Sequence, residues 1–139
     1  MCGGVIYKVQ EHTQTVYFPN PYAQLPLLHK DGSIGYYPWG RREKQPGQLP
    51  VTGWARHDSI KAGKWDRYFP IPVKIVVDEF MEKDRAKKSH WYQVKQGTFI
   101  QGLMARYQDE IRVYVVTVKP DLDHLKFHHR WPRIVGGEG

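Results

Sequence analysis

The second residue of the chain, Cys2, has the most reactive chemistry that the sequence offers. An initiator Met is commonly removed when a small residue follows it, and loss of Met1 would free the Cys2 α-amine beside its own thiol. Such a 1,2-aminothiol reacts with an aldehyde, because the amine forms an imine and the thiol then closes a thiazolidine ring. An α-amine has a reference pKa of about 7.7–8.0, so part of it is nucleophilic near neutral pH. The opposing interpretation is an inert, buried Cys that follows Met by chance.

Further short motifs follow Met1-Cys2-Gly3 in a fixed order. They are Pro38-Trp39-Gly40, Ala55-Arg56-His57-Asp58-Ser59, Phe80-Met81-Glu82 and His128-His129-Arg130-Trp131-Pro132. The series resembles the SOS-response-associated peptidase (SRAP) family, whose members crosslink covalently to abasic sites in single-stranded DNA. Each motif is weak alone, but the ordered set spans nearly the whole chain.

The resemblance implies roles for particular residues. Cys2 corresponds to the crosslinking nucleophile, Glu82 to the Glu that assists sugar-ring opening and proton transfer, and His128 to the His that serves imine chemistry and reversal. The DNA-binding residues that we expect are Trp39, Arg41, Trp54, Arg56 and Arg130. Of these, Arg56 and Arg130 would hold phosphates and the Trp39 ring would lie against the DNA.

The chain departs from the family pattern at several positions. Trp54 stands where the family has an Asn that helps to position the reacting sugar, and this replacement predicts a slower crosslinking reaction. Gly4 replaces an Arg and removes a possible phosphate contact. Lys83 and Trp131 replace a Trp and a Met of the family motifs, so the chain resembles a short, divergent branch.

Charge and composition favour a nucleic-acid partner. The 139 residues carry 21 Lys and Arg against 14 Asp and Glu, a formal net charge of +7, and aromatic residues make up 14% of the chain. Basic groups track phosphates and flat rings stack on unpaired bases. No apolar run approaches the ~20 residues that a membrane span needs. We therefore expect a cytoplasmic, nucleoid-associated monomer that binds single-stranded DNA containing abasic sites, with no membrane, no metal and no cofactor.

The elements that must position these residues are mostly strands. We predict strands at 3–9, 14–18, 34–38, 73–77, 92–94, 98–107 and 111–118, a loop at 40–53, and short helices from Asp58 or Ser59 towards Tyr68 and at 121–127. Residues 98–118 form the clearest hairpin signal. The prediction is an α+β fold, with one mostly-β domain over 1–135, a curled sheet or barrel-like core, one or two short helices, and a flexible tail at 136–139.

Other functions remain open at this point. His124 and His128 are four residues apart, but the chain lacks the motifs typical of zinc sites. The same Cys, Glu and His types could serve a thiol peptidase or autopeptidase. A non-catalytic module that binds single-stranded DNA is the third reading, and Trp54 is the residue that favours it.

Overall fold

A computed structural model describes residues 2–136, and the statements below concern that part of the chain. About half of the residues lie in strands, with two short helices. The mostly-β class predicted from the sequence is therefore confirmed. None of the described helices has the length and apolar character needed to cross a membrane.

The strands and helices follow one another in this chain order. The strands are β1 (Cys2–Val9), β2 (His12–Tyr17), β3 (Gln24–Leu28), β4 (Ile34–Pro38), β5 (Trp54–Arg56), β6 (Ile71–Ile75), β7 (Glu79–Lys83), β8 (Ser89–Gln93), β9 (Thr98–Tyr107), β10 (Glu110–Val118), β11 (Trp131–Pro132) and β12 (Ile134–Gly136). The helices are α1 (His57–Lys61) and α2 (Leu122–Leu125), and a 3-10 turn spans Asp66–Tyr68.

The strands form two sheets. The smaller has four strands in the order β2-β1-β7-β8, and the larger has eight, with the path β11-β10-β9-β6-β3-β4, β12 on β9 and β5 on β10. Neither path returns to its first strand, so the described sheets are open. The barrel-like closure that we considered is not present among these pairings, because each path ends on strands that pair on one side only.

The long hairpin of β9 and β10 is confirmed and forms the centre of the larger sheet. Its second strand is buried on both faces. Val113 and Val115 contribute to a core shared with β1 and β7 of the smaller sheet. Tyr114 and Val116 contribute to a second core with Ala55. This two-sided burial explains why β10 reads as a continuous apolar run and not as an alternation.

The short helices differ from their predicted lengths. Helix α1 ends at Lys61, because Gly63 has a φ of 81° that breaks the helical path before the separate 3-10 turn. Helix α2 is capped by Asp121, whose side chain accepts a hydrogen bond from the His124 backbone N–H. The helix covers Leu122–Leu125, which is shorter than the predicted 121–127.

The predicted tail begins inside an element of the sheet. Gly136 is the last residue of β12 and pairs with Thr98 of β9. The boundary predicted between 135 and 136 therefore cuts a strand. Residues 137–139 of the predicted tail lie outside the described residues.

Trp39 belongs to the core. It has no exposed surface, and its indole N–H donates to the Gly53 carbonyl at 3.0 Å. The ring of Phe18 packs edge-on against it, with 5.6 Å between the ring centroids. A fully buried ring presents no face to a base, so the structure gives Trp39 a packing role in place of the expected DNA contact.

The substitution Trp39→Ala is expected to lower the free energy of unfolding by about 3–5 kcal/mol, because it leaves a large cavity and an unpaired Gly53 carbonyl. Denaturant titration measures this loss. Trp39→Phe keeps most of the ring and should bind single-stranded DNA as tightly as the unaltered chain. A Trp39→Phe protein of near-normal stability but much weaker DNA binding would contradict the packing role.

Candidate active site

A β-bulge determines which way Cys2 points. Cys2 pairs with Glu82 of β7 and Val5 pairs with Phe80, but three residue steps on β1 match two on β7. The extra residue interrupts the regular alternation of side chains between Cys2 and Gly4. Because side chains alternate along a strand, Cys2 shares a face with Val5 and not with Gly4. The bulge thus turns Cys2 towards the interior.

Glu82 lies directly across the ladder from Cys2, and both residues have no exposed surface. Directly opposed side chains in an antiparallel pair have their Cβ atoms about 4.5–5.5 Å apart. Burial raises the pKa of the Glu82 carboxyl from 4.5 to about 7. The carboxyl can therefore both take and give a proton near neutral pH, which suits a general acid–base group.

The Cys2 thiol is held in its protonated form. Burial raises its pKa well above the ordinary value, and the charge of Glu82 raises it further. The thiol lies 3.5 Å from the Gly4 carbonyl, to which it donates. A reaction at this sulfur therefore needs a base nearby, and Glu82 is the carboxylate in position to serve.

The third predicted catalytic residue, His128, packs against the same strand. Its Nδ1 donates to the Lys83 carbonyl at 3.1 Å, because a carbonyl oxygen only accepts. Its Nε2 then accepts from the Tyr92 hydroxyl at 2.9 Å. Burial lowers the pKa of His128, so the neutral ring is favoured. The fold thus brings His128 to the residue that follows Glu82.

Two polar residues of β8 that no sequence motif indicated, His90 and Tyr92, join this site. His90 pairs with Glu82 and Tyr92 pairs with Phe80, so both side chains share the face of Cys2 and Glu82. The His90 Nε2 lies 2.7 Å from an Asp84 carboxylate oxygen. Burial raises the pKa of Tyr92, with a further contribution from Glu82. A strand predicted from Ser89 onward would have placed both residues on one face.

Trp54 anchors the first residue of β1. Its indole N–H donates to the Cys2 carbonyl at 2.6 Å. The ring is half-buried and packs on Phe18 with 4.8 Å between the centroids. The Trp54 ring therefore fixes the backbone of Cys2.

The arginines expected to bind DNA fall into two groups. Arg41 spans its own loop, donating to the Gln45 and Leu49 carbonyls at 3.1 and 2.9 Å. Its described contacts hold the loop at 40–53. Arg56 and Arg130 lie close enough that the charge of Arg56 helps to lower the pKa of Arg130, after the larger effect of burial.

A shallow basic cleft lies beside this second pair. Its volume is about 320 Å³, and its lining is His57, Asp58, Lys61, Thr117, Val118, Lys119 and Arg130. Arg130 is fixed there by donating to the Thr117 carbonyl at 2.8 Å. Arg56 is mostly exposed and forms a bidentate pair with Asp58, at 3.0 and 2.8 Å. An exposed pair of this kind is weak enough for a phosphate to displace.

Within residues 2–136, no group of three or more His, Cys, Asp and Glu side chains is arranged to hold a metal ion. A comparison of the chain with protein-family models, with curated proteins and with solved structures finds no match in any of the three.

The raised pKa of Glu82 predicts a pH-dependent stability. Below about pH 4.5 the carboxyl is protonated in both folded and unfolded chains, and above pH 7 the folded chain must hold it ionised and buried. Its contribution to stability is therefore lost as pH rises through 7. At about pH 8, Glu82→Gln should raise the free energy of unfolding by about 3 kcal/mol, at ~1.4 kcal/mol for each pKa unit.

Denaturant titration of both proteins at about pH 4 and about pH 8 measures this difference. The two free energies of unfolding should converge at the lower pH. A Glu82→Gln protein that is equally or less stable at the higher pH would show that the buried carboxylate does not destabilise the fold.

Proposed function

We propose that this protein forms a covalent thiazolidine crosslink between Cys2 and an abasic site in single-stranded DNA, after removal of Met1. The observation that carries the proposal is the pairing of Cys2 with Glu82, a buried carboxyl whose pKa is near neutrality. The ordered motifs that resemble the SRAP family point to the same residues. The reaction joins an amine, a thiol and an aldehyde with loss of one water, so it needs no cofactor.

Each step of this chemistry has a proton that must move. An abasic sugar is mostly a closed ring, and opening it requires a proton on the ring oxygen and loss of one from the anomeric hydroxyl. The Cys2 amine then attacks the C1′ aldehyde and water leaves, giving an imine. The sulfur adds to the imine carbon, and the thiol proton passes to the nitrogen. Glu82 is proposed to carry these protons, with His128 and Tyr92 as neighbouring donors and acceptors.

The surroundings of Cys2 set a requirement for this reaction. Cys2 has no exposed surface, so its thiol must become accessible before a sugar can reach it. The start of β1 is held to Trp54 by one hydrogen bond. A slow crosslinking reaction follows from this requirement and agrees with the expectation from the replaced Asn.

The raised thiol pKa argues against a thiol protease. A cysteine protease needs a thiolate, which is formed in electropositive and partly exposed surroundings. Cys2 is buried and faces a carboxyl, which raises its pKa instead. Thiazolidine formation tolerates a protonated thiol, because Glu82 can remove the proton as the ring closes.

The phosphate contacts are proposed for Lys61, Lys119 and Arg130 in the basic cleft and for Arg56 beside it. The positive groups outnumber the single carboxylate of Asp58 in its lining. A phosphate bound there would replace the Asp58 carboxylate on Arg56, because both groups present two acceptor oxygens to the guanidinium fork. Trp39 and Arg41 are left out of this contact surface, because their polar groups are engaged within the fold.

The crosslink is tested with purified chain whose N-terminus is verified as Cys2 by mass spectrometry. Mixed with an oligonucleotide that carries one abasic site, it should give an adduct that survives heat and denaturant. Cys2→Ser and Cys2→Ala keep the amine and should give only a labile imine, trappable with borohydride. Glu82→Gln should slow adduct formation by about 10²–10⁴. A denaturing gel measures all four proteins.

Two controls accompany this gel. Chain that retains Met1 keeps its thiol but has an amide at the Cys2 nitrogen, so it should give no heat-stable adduct. An intact oligonucleotide should give none with any protein. A heat-stable adduct from Cys2→Ala, or none from the verified Cys2-terminal chain, contradicts the proposal.

The basic cleft predicts opposite effects for two neighbouring substitutions. Arg56→Ala should weaken binding to single-stranded DNA of any sequence and flatten the salt dependence by about one unit. Asp58→Asn should strengthen binding, because it releases the Arg56 guanidinium from its pair. Fluorescence anisotropy across a salt series measures both. The matched control is Arg106→Ala, which removes an exposed charge at the end of β9, away from the cleft. Equal effects of Arg56→Ala and Arg106→Ala would remove Arg56 from the DNA contact surface.

A further inference from the structure

An aromatic cleft opens on the outer face of the smaller sheet, on the opposite side from the Cys2 thiol. It has a volume of about 520 Å³ and is lined by Gly3, Tyr17, Phe18, Pro19, Trp54, Met81, Lys83 and Ser89. Its walls are mainly apolar, and Tyr17 is about half exposed. The cleft reaches the backbone at Gly3, so it adjoins the proposed reaction centre.

The strand register aligns this cleft across the sheet. Gly4 pairs with Tyr17 on one side and with Met81 on the other, and Met81 pairs with Trp91. These residues therefore share the outer face. A Cβ on Gly4 would lie 3.0 Å from the Tyr17 ring and 3.4 Å from Trp91. The glycine that replaces the family Arg thus leaves room for the Tyr17 ring to lie against β1.

The aromatic walls are held in place by further contacts. The edge of Trp91 supports Tyr17, with 6.2 Å between the ring centroids. The Arg42 guanidinium lies 4.0 Å from the centre of the Phe18 ring and also donates to the Phe18 carbonyl. Trp54 packs on Phe18 and bonds to the Cys2 carbonyl. The cleft is therefore a formed surface with ordered rings.

Cations lie at the rim of the cleft and next to it. Lys83 is exposed at its edge. Trp54 and Arg56 are two residues apart on β5, with Ala55 buried between them. Their side chains therefore share one face of β5, with the Cα atoms about 7 Å apart. A flat ring seated beside Trp54 would carry an attached phosphate towards Arg56.

We infer that this cleft binds one unpaired nucleobase of the DNA strand, the base next to the abasic sugar. The inference rests on the proposed function and adds a second point of contact to it. A base fits this chemistry because it has two flat apolar faces and is joined to an anionic backbone. Stacking on aromatic side chains is sequence-tolerant, since every base has such faces.

The test compares two oligonucleotides that cannot form a crosslink. One is intact oligothymidylate, and the other has the same length but a tetrahydrofuran analogue in place of every nucleoside, so it has the phosphates without the bases. The chain should bind the intact strand about 5- to 150-fold more tightly, the range that corresponds to one stacked base. Equal affinity for the two strands would overturn the inference without any mutant.

The substitution Tyr17→Ala tests whether this difference in affinity comes from the cleft. It should reduce affinity for the intact strand about 5- to 150-fold and leave affinity for the base-free strand unchanged. Tyr17→Phe should restore the affinity, because the ring is retained. The matched control is Tyr107→Ala, a tyrosine of similar exposure that lies outside the cleft lining, and it should bind as the unaltered chain does.

The outcomes separate this inference from the proposed function. If Tyr17→Ala weakens binding to the intact and the base-free oligonucleotide alike, or to neither of them, the cleft does not bind a base. If the affinity difference is found but the abasic oligonucleotide gives no heat-stable adduct, the crosslink proposal fails and the base site stands. If the adduct forms and the affinity difference is absent, the base site alone is overturned.

Discussion

The organisation of the site depends on the burial of one ionisable carboxyl, that of Glu82, where β7 pairs with the start of β1. Glu82 faces Cys2 without exposed surface, and burial raises its pKa to about 7. Burying a charge costs free energy to the extent that hydrogen bonds or an opposite charge do not compensate it. Proteins accept that cost mainly at functional sites, where a group that exchanges protons near neutral pH is useful. The same burial keeps the Cys2 thiol protonated.

The neighbouring elements of the fold hold Cys2 and Glu82 opposite each other. The bulge at the start of β1 turns Cys2 inward, and β8 closes the other side of Glu82 with His90. The long β9–β10 hairpin, buried on both faces, supports the smaller sheet through a shared core. Trp54 joins the two sheets by bonding the Cys2 carbonyl from β5. This bond ties the end of β1 that carries Cys2 to the larger sheet.

The sequence predicted the local elements better than their tertiary roles. The hairpin of 98–118 has two long, mainly apolar segments on either side of the polar residues 108–110, and the structure confirms it. Burial of Trp39 could not be predicted, because an aromatic beside two arginines looks the same whether those cations bind phosphate or their own loop. Here Arg41 and Arg42 donate to backbone carbonyls. The short helices were overestimated because Gly63 ends α1 and because α2 has one turn only.

The roles of His90 and Tyr92 depended on pairing that no local pattern specifies. They join the site because β8 lies beside β7 in one particular register. A shift of one residue would have turned both side chains to the outer face.

The central claim concerns the state of a single sulfur, since Cys2 is the one cysteine of the chain. The most direct measurement is the mass of the denatured adduct between Cys2-terminal protein and an abasic oligonucleotide, after treatment with a thiol-alkylating reagent. A thiazolidine crosslink predicts a mass equal to protein plus DNA less one water, with no alkyl group added, because the ring has consumed the thiol. An adduct that takes up the alkyl group would be an imine with a free thiol, and it would contradict the account.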